Sequence, residues 1–130
     1  MISAIVLAAG ESRRMGEAKQ LLPWEGKTVL GHVLDTLLSS SVQEVILVLG
    51  HEAERVLEKV AIREIKVVFN PDYQKGMSAS LRRGLLAMNP SAEAFLVFLA
   101  DQPAITPEII DQLIDSFRRA RPGKSIVVPS

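Results

Sequence analysis

Ala4-Ile5-Val6-Leu7-Ala8-Ala9-Gly10-Glu11-Ser12-Arg13-Arg14-Met15-Gly16-Glu17-Ala18-Lys19 is the stretch on which the fold of this chain turns. Residues 4–9 are apolar without alternation, the pattern of a strand buried on both faces in a parallel sheet covered by helices. The next residues change character at once, to small side chains, glycines, two arginines and a lysine. Small residues let backbone N–H groups approach an anion closely, and the cations neutralise charge that builds up there. A strand that runs straight into such a loop predicts an α/β sheet with its ligand at the strand's carboxyl end.

Outward from this point the same alternation repeats. Residues 45–49, 65–69, 95–99 and 126–128 form further short apolar runs and read as buried strands. Between them lie stripes of helical period: Val29, Leu30, Val33, Leu34, Leu37 and Leu38; then Ala53, Val56, Leu57 and Val60; then Leu81, Leu85 and Met88; then Ile109, Ile110, Leu113, Ile114 and Phe117. Thr106-Pro107-Glu108 is a start signal for the last helix: a capping hydroxyl, a proline for the first turn and an acid at the positive end of the dipole. Strand and helix in this order predict an open, doubly wound, mostly parallel, Rossmann-like sheet with right-handed crossovers. Ligands should then meet segments 10–27, 50–52, 70–80 and 100–106.

The chain has 130 residues, 48% of them hydrophobic, which suits a single domain over 1–130 with one substantial core. It stops just after a strand-like run, so the expectation is the N-terminal portion of a domain whose C-terminal part is missing. It contains no cysteine, so disulfides, thiolate zinc sites and cysteine nucleophiles are excluded, and two histidines are too few for a histidine-rich metal cage. A formal net charge of zero argues against nucleic acid as a partner. The apolar N-terminus is short and lacks a basic flank, and no run is long enough to span a bilayer. The expectation is a cytoplasmic protein with no membrane partner.

The loop is not a Walker A motif, because Glu17 rather than Lys follows Gly16, and no Gly-x-Gly-x-x-Gly fingerprint occurs. Instead Leu7, Ala8, Ala9, Gly10, Ser12, Arg14, Met15, Gly16 and Lys19 match the pattern Leu-Ala-(Ala or Gly)-Gly-x-Ser-x-Arg-Met-Gly-x-x-Lys. This resembles the signature of nucleotidyltransferases with a glycosyltransferase-A-like fold, and within them the molybdenum cofactor guanylyl- and cytidylyltransferases. Asn70-Pro71-Asp72-Tyr73-Gln74-Lys75-Gly76-Met77-Ser78-Ala79-Ser80-Leu81 resembles the segment after the third strand in the cytidylyltransferase branch. Leu99-Ala100-Asp101-Gln102-Pro103 resembles that family's metal-binding Asp motif.

The resemblance implies a set of roles. Leu7, Ala8, Ala9, Gly10, Ser12 and Gly16, with Arg14 and Lys19, would hold the triphosphate of an NTP. Gly76, Met77 and Ser78 would touch base and ribose, with Asn70 lining the site. Asp101 would bind Mg²⁺, and Arg14, Lys19 and Asp101 would be the catalytic residues. Because the guanylyl branch carries Gly where this chain has Ala9, CTP is the implied donor and molybdopterin the implied acceptor, with a molybdoenzyme or chaperone as a possible partner. By themselves the residues leave other readings open: GTP or another NTP, a sugar-phosphate or polyol-phosphate acceptor, or a non-catalytic nucleotide-binding module. Asp101 also reads as a turn carboxylate, and Ser78 or Ser80 as the cap of a helix. Trp24, His32 and Met15 read as packing residues and His51 as a solvent-exposed loop histidine.

Overall fold

The computed structural model describes residues 1–9, 13–14, 17–18, 23–24, 27–51, 53–59, 64–100, 105–120 and 126–127. Strand β1 (Ile2–Ala8) is followed by two short antiparallel pairs, β2 (Arg13–Arg14) with β3 (Glu17–Ala18) and β4 (Pro23–Trp24) with β5 (Lys27–Thr28). Then come α1 (Val29–Leu38), β6 (Glu44–Leu49), α2 (Ala53–Lys59), β7 (Lys66–Phe69), a 3-10 turn (Tyr73–Lys75), α3 (Met77–Ala87), β8 (Ala94–Leu99), α4 (Pro107–Ala120) and β9 (Ile126–Val127). Each predicted run and stripe coincides with an element, with Met88 just beyond α3 and with Val60 and Val128 outside the described residues. The short pairs between β1 and α1 were not foreseen, because two-residue strands carry no periodicity.

The main sheet has the order β7-β6-β1-β8-β9, and every pairing in it is parallel. The order steps outward from β1 in one direction, then resumes on its other side with β8. The central strand is apolar but for Ser3 because both its faces are covered. Ile2, Ala4, Val6 and Ala8 face Leu30, Val33, Leu34 and Leu37 of α1, Val56 of α2, and Ile110, Ile114 and Phe117 of α4. Ile5, Leu7 and Ala9 face the other layer, where Leu81 and Ala87 of α3 pack.

Local signals set the helix starts. The Thr28 hydroxyl accepts from the Gly31 N–H at 2.9 Å, and the Thr106 hydroxyl accepts from the Ile109 N–H at 3.3 Å. Helix α3 departs from expectation. Its N-cap is Gly76, with φ 99° and ψ −179° and no side-chain cap, so neither Ser78 nor Ser80 caps it. That backbone region is open to glycine and strained for other residues.

Two further differences have tertiary causes. Strand β7 was expected to be buried on both faces. It is the edge strand of the sheet, with a neighbour on one side only, and Val67 and Phe69 are about half exposed. Uniformly right-handed crossovers were also expected. The crossovers through α1, α2 and α3 share one hand, since α3 reverses both its direction across the sheet and its face. The crossover through α4 steps the same way as α3 but on the face of α1, which gives it the opposite hand. Helix α4 finds cover there against α1, and the Ser41 N–H after α1 donates to the Asp111 carboxylate at 2.7 Å.

Candidate functional site

In open parallel sheets the ligand crevice lies beyond the strands' carboxyl ends, where the strand order reverses. Here the reversal falls between β1 and β8. Three backbone hydrogen bonds extend the ladder past the strands and bring their ends level. The Ala100 N–H donates to Leu7 O at 3.1 Å, the His51 N–H to Ala9 O at 3.1 Å, and the Asn70 N–H to Leu49 O at 2.7 Å. The described ends of β1 and β8, at Ala9 and Ala100, therefore lie side by side.

Of the residues expected in the site, Leu7 and Ala8 close β1 and Ala9 follows it; all three are buried, and the carbonyl oxygens of Leu7 and Ala9 accept from the Ala100 and His51 N–H groups. Arg14 lies in β2, paired with Glu17 in β3. Gly10, Ser12, Gly16, Lys19 and Asp101 lie outside the described residues. Gly76, Met77 and Ser78 are exposed at the start of α3, which begins at the same end of the sheet because it follows β7. Its first-turn N–H groups have no side-chain cap.

Asn70 is placed differently from the others. Its side chain is fully buried. Its Nδ2 donates to Ser80 Oγ at 3.0 Å and its Oδ1 accepts from the Asp72 N–H at 2.9 Å. Ser80, expected as a helix cap, is buried as the partner of Asn70. The Asp72 carboxylate lies 3.9 Å from both Lys75 and Arg83.

Gly50 and Tyr73 were not singled out from the sequence, and both shape this end of the sheet. A Cβ at Gly50 would lie 2.6 Å from Tyr73 Cβ and 2.9 Å from Ala9 Cβ, so three chain segments meet there at a separation only glycine permits. Tyr73 also faces His51, with ring centroids 5.7 Å apart and planes tilted by 60°. The signal available in the sequence was a glycine directly after an apolar run, which marks close backbone approach as well as a turn.

A cleft of about 590 Å³ opens beside the ends of β6 and β7, lined by Gly50, Ala53, Glu54, Arg55, Glu58 and Phe69. Two carboxylates in its wall oppose a triphosphate, and among the described residues its lining includes none of Leu7, Ala8 and Ala9. Among the described residues no group of three or more histidines and carboxylates could hold a metal. The chemistry of the expected site differs from such a cage: Mg²⁺ is commonly bound by one or two carboxylates together with substrate phosphates. Asp101, the next residue in sequence after Ala100, is a carboxylate of the kind that donor set uses.

A parallel α/β sheet whose strand order reverses beside β1, with a glycine-containing, cationic segment following β1 in sequence, is the architecture of the class of nucleotide-binding domains. The chain belongs to the MobA-like NTP transferase domain family, whose model matches residues 4–130. Among curated proteins it is 32% identical to nicotine blue oxidoreductase of Paenarthrobacter nicotinovorans, over 92% of this chain and 59% of that protein. It is 34% identical to molybdenum cofactor cytidylyltransferase of Escherichia coli K12, over 86% and 57%. It is 40% identical to a probable molybdenum cofactor guanylyltransferase of Methanosarcina acetivorans, over 87% and 52%. Among solved structures it resembles Rv0371c of Mycobacterium tuberculosis H37Rv, with a TM-score of 0.82 and 37% identity over 91% of this chain and 60% of that one. Rv0371c has also been solved as a complex with manganese. The chain thus spans little more than half the length of these relatives.

Proposed function

We propose that this chain is the nucleotide-binding portion, a single domain over 1–130, of a Mg²⁺-dependent nucleotidyltransferase that moves CMP from CTP to molybdopterin and releases pyrophosphate. The observation that carries the reading is the reversal of strand order between β1 and β8, with Ala100 hydrogen-bonded to Leu7. It supports a common crevice for the segment after Ala9 and the residue after Ala100. Family membership and the relatives named cytidylyl- and guanylyltransferase support the reaction class.

In this reading an acceptor phosphate oxygen attacks the α-phosphorus of the NTP, the new P–O bond forms, and the bond to pyrophosphate breaks. A phosphate nucleophile is already ionised near neutral pH, so no general base is required. Catalysis is alignment and charge neutralisation. Backbone N–H groups after Ala9, with Arg14 and Lys19, hold the triphosphate. Gly76, Met77 and Ser78 hold the base and ribose, and Asp101 holds the metal. Bound Mg²⁺ supplies positive charge to the phosphate oxygens.

The preference for CTP rests on Ala9, where the guanylyl branch carries glycine. Its methyl faces Gly50 and Tyr73, so any discrimination acts through the packing of the strand ends rather than by lining the pocket directly. GTP is the competing donor, in keeping with the relative named guanylyltransferase. A redox enzyme on the same domain is the second reading, favoured by the relative named nicotine blue oxidoreductase.

A thermal-shift series with CTP, GTP, ATP, UTP, NADPH and FMN, each with and without Mg²⁺, separates these readings. A ligand at ~100 times its Kd adds about 2.7 kcal/mol, which is several degrees in Tm. CTP with Mg²⁺ should give the largest rise, and pyrophosphate should appear with molybdopterin but not with sugar or polyol phosphates. A rise with NADPH or FMN alone would replace the transferase reading, and a larger rise with GTP would replace the choice of CTP.

A further inference from the structure

We infer that Asn70 is a positioning residue: a buried latch that sets residues 72–78 against the strand ends, and so presents the start of α3 to the nucleotide. This rests on the proposed role of Gly76, Met77 and Ser78, and it assigns Asn70 a task other than touching the ligand.

Asn70 is buried to 0% exposure at the end of β7, where a purely structural residue would ordinarily be apolar. Each part of it is used. Its N–H continues the ladder to Leu49 O, at 2.7 Å. Its Oδ1 closes a turn on the Asp72 N–H, at 2.9 Å, which directs the chain out of the sheet. Its Nδ2 reaches ten residues ahead to Ser80 Oγ, at 3.0 Å, one turn inside α3. No other side chain type combines a donor and an acceptor in a rigid plane of this size, with glutamine one methylene too long.

The two bonds bracket the segment that must be placed. Between Asp72 and Ser80 lie the 3-10 turn, which closes through Lys75 N–H to Asp72 O at 2.9 Å, and Gly76, whose φ of 99° turns the chain into α3. A turn and a helix joined by one glycine have a free hinge unless both sides are held. Asn70 holds both to one point of the sheet. Tyr73, lodged against Gly50 and Ala9, restrains the same segment from the β1 side. Arg83, on the next turn of α3, faces the Asp72 carboxylate and adds a solvent-exposed tie in the same direction.

The test uses Asn70→Ala, Ser80→Ala and Asn70→Asp. The aspartate keeps the acceptor for the Asp72 N–H and can accept from the Ser80 hydroxyl, so it is the conservative rescue. In Asn70→Ala and Ser80→Ala the amide protons of Lys75 and Gly76 should exchange about tenfold faster, while those of Ile5 and Ile46 in the sheet keep their rates. The KM for the NTP should rise about tenfold with kcat changed by less than about threefold, and Asn70→Asp should restore most of it. A raised KM with unchanged exchange would mean that Asn70 contacts the nucleotide itself, and would overturn the inference. Faster exchange with an unchanged KM would leave the latch without a functional task and would overturn it equally. Should the unaltered protein bind no NTP at all, the transferase reading fails, and the exchange rates alone then decide whether the latch exists. If Asn70→Ala does not fold, Ser80→Ala carries both measurements.

Discussion

Gly84 lies on the face of α3 that crosses β1, and it is there because the helix comes too close for any side chain. A Cβ would sit 2.7 Å from Ile5 Cγ2 and 3.3 Å from Val48 Cγ2. Alanine is the better helix former by about 1 kcal/mol, yet overpacking of a fitted core costs about 1–3 kcal/mol. Ile5 is β-branched and stiff at χ1, so it gives way poorly. Gly84→Ala should therefore lower stability by about 1 kcal/mol net, read as a lower urea midpoint with an unchanged slope. Gly50→Ala should cost more. Its new methyl meets Tyr73 Cβ at 2.6 Å and Ala9 Cβ at 2.9 Å, and a Cβ cannot rotate out of the way because the backbone places it. A Gly50→Ala protein as stable as Gly84→Ala would show that the strand ends separate easily, and the argument from Ala9 to nucleotide choice would fall with it.

Between elements, a highly connected charge among the described residues is Glu44, at the start of β6 with a side chain only 9% exposed. The Ser3 hydroxyl of β1 donates to it at 2.7 Å, the Asn89 N–H after α3 at 3.0 Å, and Lys66 of β7 pairs with it at 2.6 Å. Burial acts to raise its pKa. The Asn89 N–H, the Lys66 ammonium and the Ser3 hydroxyl together outweigh burial and hold the carboxyl below its ordinary value. The folded state thus binds its proton less readily than the unfolded chain. The stability this contributes is complete above the ordinary carboxylate pKa of about 4.3 and is lost as pH falls through the lower folded value. Glu44→Gln should weaken the fold by about 1–3 kcal/mol at pH 7 and flatten the loss of stability below about pH 4.3. Urea denaturation at pH 7 and pH 3.5 checks both, and a variant that loses as much between those pH values as the parent would assign the acid limb to other groups. The same Lys66 also donates to Ala87 O at 2.8 Å. A lysine on an edge strand both ties the layers and discourages strand addition.

On the scale of the molecule, the proposed reaction needs two stretches about eighty residues apart in sequence to share one crevice, and only the reversal of strand order allows it. If Asp101 holds the metal, Asp101→Asn should remove the Mg²⁺-dependent part of the CTP thermal shift and leave the metal-independent part. If Lys19 holds the phosphates as proposed, Lys19→Ala should weaken both parts. Turnover should fall by about 10²-fold or more in each. Equal loss of the metal-free shift in Asp101→Asn would place that carboxylate on the nucleotide rather than on a cation.

Strand and helix positions were legible from residues because burial on two faces demands unbroken apolar runs such as 4–9 and 45–49, and one-sided burial demands the helical stripe of Val29, Leu30, Val33 and Leu34. Family membership was legible too, in the motif running from Leu7 to Lys19. Tertiary structure alone decided that β7 lies at an edge, that α4 packs beside α1, and that Ser80 is buried beneath Asn70 rather than capping α3. The division has a physical cause. Periodicity and propensity record what a residue does with its near neighbours in sequence. Which strand lies beside which, and which buried amide finds a hydroxyl ten residues away, follow from packing that no local pattern encodes.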